Sequence, residues 1–145
     1  MKIRIAKSDQ QIAACYPVIQ ALRPHISEES FVRRVRGLEK AGYMLAFAEE
    51  AGRPVAVAGF RIAENLSWGR FLYVDDLVTL STRRSHGFGA GLVGWLTGYA
   101  AANGCSQLHL DSGTQRKDAH RFYEREGIRM TGYHFAKLIS PHPAT

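Results

Sequence analysis

Apolar and polar positions along the chain change period several times, and each change marks a predicted element. Ile3 and Ile5 alternate with polar neighbours over 2–6, which predicts a short strand. Ser8 or Asp9 then caps a helix running to about Leu22, with Ile12, Tyr16, Ile19 and Cys15 on its inner face. Pro17 interrupts that pattern and predicts a kink or a boundary. Ser27 caps a second helix whose apolar stripe is Phe31, Val32, Val35 and Leu38, closed by Gly42. Strands follow at 43–49, 54–63 and 70–79, joined by a turn around Gly52 and by the polar run 64–69, and they form an antiparallel meander.

The next helix spans 87–103 and carries Leu92, Val93, Leu96, Tyr99 and Ala100 toward the core. Gly91, Gly94 and Gly98 cost about 1 kcal/mol each in a helix interior, so close packing on the sheet is expected at all three. A strand at 107–111 should run parallel to the strand at 70–79, because a helix crosses between them. A short helix over 117–126 turns Ala119, Phe122 and Tyr123 inward, and Gly127 stops it. Terminal strands are predicted at 128–130 and 133–139, and a frayed tail at 140–145. The expected fold class is thus α/β (α+β): one domain over 1–145, with a mixed, mostly antiparallel sheet of about seven strands and four flanking helices.

Composition narrows the function classes. The chain has 145 residues, 46% hydrophobic and 22% charged, which suits one globular domain and argues against disorder. The net charge of +6 suits either nucleic acid or an anionic ligand. The basic residues are scattered and no run of five occurs, so a polyanionic cofactor is preferred over nucleic acid. Cys15 and Cys105 are far apart with no metal-type spacing, and they read as reduced thiols. No apolar run approaches the ~18 residues that span a bilayer. No signal peptide is visible, and a cytoplasmic protein is expected.

The stretch 71–92 carries the clearest chemistry. It reads as a strand, then Arg84-Ser85-His86-Gly87-Phe88-Gly89, an Arg-x-x-Gly-x-Gly spacing, then the start of a helix. Glycines let the backbone approach a ligand. First-turn N–H groups lack intrahelical partners, and the helix dipole adds positive potential at the same end. A phosphate or pyrophosphate is expected there.

The element order resembles that of the GNAT superfamily of acyl-CoA-dependent N-acetyltransferases. Two blocks carry the likeness. One is Asp76-Leu77-Val78-Thr79 followed by Arg84 to Ala90. The other is Leu110-Asp111-Ser112-Gly113 followed by Ala119-His120-Arg121-Phe122-Tyr123-Glu124-Arg125-Glu126-Gly127-Ile128. The resemblance implies that the fourth and fifth strands splay apart. The pantetheine arm of acetyl-CoA would then pair with the backbone of Leu77, Val78 and Thr79. The pyrophosphate would lie on the amides of Arg84, Ser85, His86, Gly87, Phe88, Gly89 and Ala90. Arg116 stands where many members have Asn, and it either reaches the coenzyme or caps its helix. Terminal strands in this superfamily often pair between subunits, so a homodimer is allowed by analogy.

Acetyl transfer needs a neutral amine and a protonated or stabilised leaving thiolate. Tyr123 matches the tyrosine that serves many such enzymes as general acid. A phenol (pKa ~10) is a weaker acid than a thiol (~8.5), so a concerted donation or a hydrogen bond to sulfur is expected. Asp75 and Asp76 should lie on opposite faces by alternation. Asp75 stands where polyamine acetyltransferases of the superfamily carry a Glu that helps deprotonate the amine through water, and it is the candidate base. Asp76 and His120 are the other candidates. The resemblance also implies an acceptor pocket drawn from Tyr16, Arg23, His25, Phe31 and Asn65 to Trp68. Arg23 and His25 would suit an anionic group on the amine. The expected partner is a small-molecule amine, with no nucleic acid, no membrane and no metal. A non-catalytic acyl-CoA-binding module and a protein or peptide N-acetyltransferase are the alternatives.

Overall fold

In the computed structural model, which describes residues 1–141, the chain runs β1 (Lys2–Ile5), α1 (Asp9–Ala14), α2 (Tyr16–Leu22), α3 (Glu28–Glu39), β2 (Met44–Glu50), β3 (Arg53–Asn65), β4 (Gly69–Thr79), a 3-10 turn (Ser81–Arg83), α4 (Phe88–Ala102), β5 (Gln107–Leu110) and α5 (Lys117–Arg125). The sheet order is β1-β2-β3-β4-β5. The first three pairings are antiparallel, and β4 and β5 are parallel. The mixed, mostly antiparallel α/β sheet expected from the pattern is therefore present.

Local signals explain most boundaries. The Ser8 hydroxyl accepts from the Gln11 N–H while the Gln11 side chain accepts from the Ser8 N–H, a complete capping box. Ser27 caps α3 through the Ser30 N–H. Pro17 occupies the first turn of α2, where its missing N–H costs nothing, so the single helix predicted over 8–22 is two helices meeting at Cys15. Ala51 and Gly52, with φ of 52° and 78°, make the tight β2–β3 turn. Arg36 on α3 ties α1 down by bonds to Asp9 and to the Lys7 carbonyl.

Two apolar layers cover the sheet. Ile12, Val18, Phe31, Leu45 and Val57 pack with α1–α3 on one face. Phe60, Leu72, Leu92 and Leu96 pack with α4 on the other. Leu38 was assigned to the α3 stripe but is half exposed. Of the three helix glycines, only Gly91 is closely packed, against Met1 and Ile3. A Cβ at Gly94 or Gly98 would meet nothing within 4 Å.

The sheet has five strands rather than about seven. Residues 128–141 form no strand. Met130, Tyr133, Phe135, Leu138 and Ile139 are 78–94% exposed there. The alternation is strand-like, but a strand needs a ladder partner, and β5, the edge strand that follows β4, is only four residues long. The tail expected at 140–145 falls largely on 142–145, outside the described residues.

Candidate active site

The β4–β5 ladder ends at Val74↔Leu110, while β4 continues to Thr79. From Asp75 to Thr79 the β4 edge has no partner on the β5 side. The result is a cleft lined by Leu22, Arg23, Val74, Asp75, Leu77, Leu110, Asp111, Arg116 and Tyr123. Leu77, Val78 and Thr79 all lie on this unpaired run. The splay implied by the resemblance is present, and so are backbone groups that need partners.

At the end of β4 the chain turns into α4. Leu80 N–H donates to the Val55 carbonyl and Arg83 N–H to the Leu80 carbonyl, which fixes the turn. Arg83 also pairs with Glu50 and lies over the Phe88 ring. Ser85 (φ 66°) and Gly87 (φ 83°) then take left-handed conformations. Gly87 is the N-cap residue of α4 and supplies no side chain, so the first-turn N–H groups carry no side-chain cap. Phe88 is buried and anchors the turn, whereas Arg84, Ser85, His86 and Gly87 are exposed. His86 Nδ1 lies 2.8 Å from the Arg84 carbonyl oxygen. A Cβ on Gly89 would sit 3.2 Å from Phe122 Cζ, so glycine there lets α5 close on the start of α4. An uncapped helix start with alternating backbone handedness fits a phosphate group.

Tyr123 is 8% exposed at the floor of the cleft. Burial pushes its phenol above the ordinary value, and the neighbouring Arg116 guanidinium pulls it back part of the way. Arg116 is the N-cap residue of α5 but makes no side-chain cap. His120 instead lies 2.8 Å from the Gly113 carbonyl and pins the loop before α5.

The two aspartates differ from expectation. The β3–β4 register shifts between Gly59 and Phe60: Gly59 faces Asp76, and Phe60 faces Val74. Asp75 is therefore the extra residue of a β-bulge, and the alternation slips by one. Leu72 and Val74 face α4, yet Leu77 faces α4 as well. Both acids consequently project to the α1–α3 side rather than to opposite faces. Asp75 forms a bidentate pair with Arg61, at 2.8 Å for both bonds. Asp76 accepts from Arg23 Nε at 2.9 Å and from the Tyr43 hydroxyl at 2.7 Å. Arg23 Nη2 donates in addition to the Asp75 carbonyl at 3.1 Å. A Cβ at Gly59 would lie 1.8 Å from Tyr43 Oη, so only glycine leaves room for this network.

The family model for the acetyltransferase (GNAT) family matches residues 10–128. The chain belongs to that family. It is 33% identical over 134 residues to the uncharacterized N-acetyltransferase YhdJ of Bacillus subtilis (strain 168), which covers 91% of this chain and 94% of that protein. It is also 33% identical over 66 residues to the aminoalkylphosphonate N-acetyltransferase of Salmonella typhimurium, 46% of this chain and 43% of that one. Among solved structures, the aminoglycoside N-acetyltransferase AAC(6')-Iy in complex with CoA superposes with a TM-score of 0.83. It is 12% identical, and 96% of each chain is covered. At that identity the likeness establishes the shared fold.

Within this GNAT domain, the residues expected to make an acceptor pocket separate. Tyr16 and Phe31 are core residues, and Tyr16 donates to the Ile26 carbonyl. Asn65 caps its own turn by accepting from the Trp68 N–H, and Trp68 stacks on His109 with ring centroids 3.5 Å apart. His25 is exposed. Only Arg23 of that set lines the cleft. Arg61 and Tyr43 were not singled out from the sequence, and Asp111, which accepts from the Tyr73 hydroxyl, was named only within the block that carries the likeness. The isolated Gly59 inside a strand was the available signal, since such a glycine marks a bulge or a close backbone approach. Cys15 is buried and its thiol is pushed up to about 12, which makes it an inert core residue. Among the described residues no His, Cys, Asp or Glu cluster is gathered for a metal, and no helix is long and apolar enough to cross a membrane.

Proposed function

We propose that this protein moves an acetyl group from acetyl-CoA to the primary amine of a small metabolite, by direct attack in a ternary complex. The observation that carries this reading is Tyr123, a protonated phenol at the floor of an open cleft between an unpaired strand edge and an uncapped helix start. The names of the relatives point the same way, toward small amine acceptors.

The backbone of Leu77, Val78 and Thr79 would pair with the amide-rich arm of the coenzyme. The N–H groups of Arg84, Ser85, His86, Gly87, Phe88, Gly89 and Ala90 would hold its pyrophosphate, with Arg116 adding charge. Acetyl-CoA supplies an activated thioester. Tyr123 holds its proton at Oη and presents it to the departing sulfur as a hydrogen bond that strengthens with the developing charge. Its raised pKa keeps the phenol neutral across the ordinary pH range. Asp75, which lines the cleft together with Asp111, receives the amine proton through a water. The bidentate pairing with Arg61 fixes its orientation.

We also infer that two copies associate through residues 128–139. Met130, Tyr133, Phe135, Leu138 and Ile139 are all strongly exposed, and β5 is an edge strand of the sheet. At roughly 150 Å² per large side chain, they would bury about 750 Å² per protomer, close to a standard interface. The two free cysteines suit the reducing cytoplasm, where we place the protein.

The test is Tyr123→Phe with acetyl-CoA and the best amine of a screen. The account expects kcat to fall about 10²-fold or more, with acetyl-CoA affinity by calorimetry changed less than about 3-fold. Unchanged kcat would remove Tyr123 as acid. Coenzyme binding without turnover on any amine or peptide would instead favour a regulatory acyl-CoA-binding module, and turnover on peptides alone a protein N-acetyltransferase.

A further inference from the structure

The network around the β4 bulge has a surplus of donors, not of acceptors. Both oxygens of Asp75 are taken by Arg61. Those of Asp76 are taken by Arg23 and Tyr43. Those of Asp111 lie against the Tyr73 hydroxyl and His134. Every carboxylate oxygen on this wall of the cleft thus already has a partner, and none stands wholly free for an ammonium. The guanidiniums differ. Each has five N–H donors. Arg23 and Arg61 spend only Nε and Nη2 on the bonds found among the described residues, leaving each Nη1 edge.

Two further facts make these arginines unlike ordinary structural ion pairs. Their side chains are 40% and 42% exposed, so neither guanidinium is sealed in the core. Both also converge on one residue: Arg23 on the Asp75 carbonyl, Arg61 on the Asp75 carboxylate. The bulge thus brings two oriented guanidiniums onto Asp75, a lining residue of the cleft, with Arg23 itself in the lining. Arg61 is steadied from beneath by the Tyr73 ring, 5.4 Å from its centroid. Asp76 and Tyr43 hold Arg23 from the core side. Arginine forks fixed in this way match the oxygens of a phosphonate, phosphate or carboxylate and lose little entropy on binding one.

We propose that Arg23 and Arg61 clamp an anionic group on the acceptor, so that the substrate class is a primary amine that also bears a phosphonate, phosphate or carboxylate. This rests on the acceptor reading above and makes it narrower. Asp75 becomes the residue that positions both arms of the clamp, besides its part in proton transfer.

The experiment compares matched acceptors with acetyl-CoA: 2-aminoethylphosphonate and β-alanine against propylamine, and glucosamine 6-phosphate against glucosamine. The expected result is a kcat/KM at least about 10-fold higher for an anion-bearing member, carried by KM. Arg23→Met and Arg61→Met should each cut that preference by about 10-fold or more, and Arg61→Lys should restore only part of it, because an ammonium lacks the fork. A wild-type preference near one, or a preference intact in both variants, overturns the clamp. If either variant fails to fold, wild-type inhibition by methylphosphonate decides: inhibition competitive with the amine supports the clamp, and none refutes it. If the protein acetylates no amine, the function proposed above has failed. Calorimetry of methylphosphonate with wild type and Arg61→Met still judges the clamp, since binding lost in the variant supports it and equal or absent binding refutes it.

Discussion

Replacing Gly59 by Ala is the sharpest perturbation of the bulge network. The new methyl would lie 1.8 Å from Tyr43 Oη, 2.5 Å from Tyr43 Cζ and 2.7 Å from Asp76 Oδ2. Neither neighbour can yield cheaply. Tyr43 is 7% exposed and lies in the α1–α3 core, and the Asp76 side chain is 14% exposed. The ring must move, and its hydrogen bond to Asp76 breaks. Losing a bond to a charged acceptor costs about 1.5–3 kcal/mol, and overpacking adds about 1–3 kcal/mol. A total near 3–5 kcal/mol is a large fraction of a domain's stability. Urea unfolding followed by circular dichroism measures it. A double-mutant cycle with Tyr43→Phe locates it: without the hydroxyl the hydrogen bond is already gone, so the added cost of Gly59→Ala should shrink by about 1 kcal/mol or more. A Gly59→Ala protein within about 0.5 kcal/mol of wild type would refute the close approach, and strictly additive costs would refute the role of the hydroxyl.

Other consequences are simpler to read. Gly94→Ala and Gly98→Ala should each stabilise by about 0.5–1 kcal/mol in urea titrations, because both sites are helical and open around the added methyl. Gly87→Ala places a side chain at φ 83° and should cost about 1 kcal/mol or more of stability, with weaker acetyl-CoA binding by calorimetry. Stability should fall at alkaline pH. The folded Cys15 pKa is raised from 9.0 to about 12, so its contribution is full below pH 9 and is lost as pH rises toward 12, about 4 kcal/mol at most. Tyr43, also raised by burial and by Asp76, adds to the same loss at higher pH. Cys15→Ala should flatten the pH dependence of the urea midpoint between pH 9 and 11, whatever its cost at neutral pH.

What the sequence made legible was local. Ser8, Ser27, Gly52 and Gly87 announce caps and turns through chemistry confined to a few neighbours, and the helix and strand periods around them came out in place. The likeness to GNAT proteins placed the splay and the turn into α4. The rest depended on distance. Arg23 meets Asp76 across 53 positions, and Tyr43 meets it across 33, so no window of the chain could pair them. The bulge at Asp75 is a register event between two strands, and strict alternation sent Asp76 to the wrong face. Residues 128–139 have a strand's pattern but no ladder partner among the described residues, which is why periodicity overcounted the sheet. Gly94 and Gly98 were assigned tight packing on propensity alone, while the structure leaves them facing open space.

The central claim is tested most directly by thiol release from acetyl-CoA over a panel of primary amines, with mass analysis of the product. The account predicts amine-dependent release of one thiol per N-acetylated product, at a rate that Tyr123→Phe lowers about 10²-fold or more. Tight acetyl-CoA binding with no amine-dependent release, or release unaffected by that substitution, would contradict it.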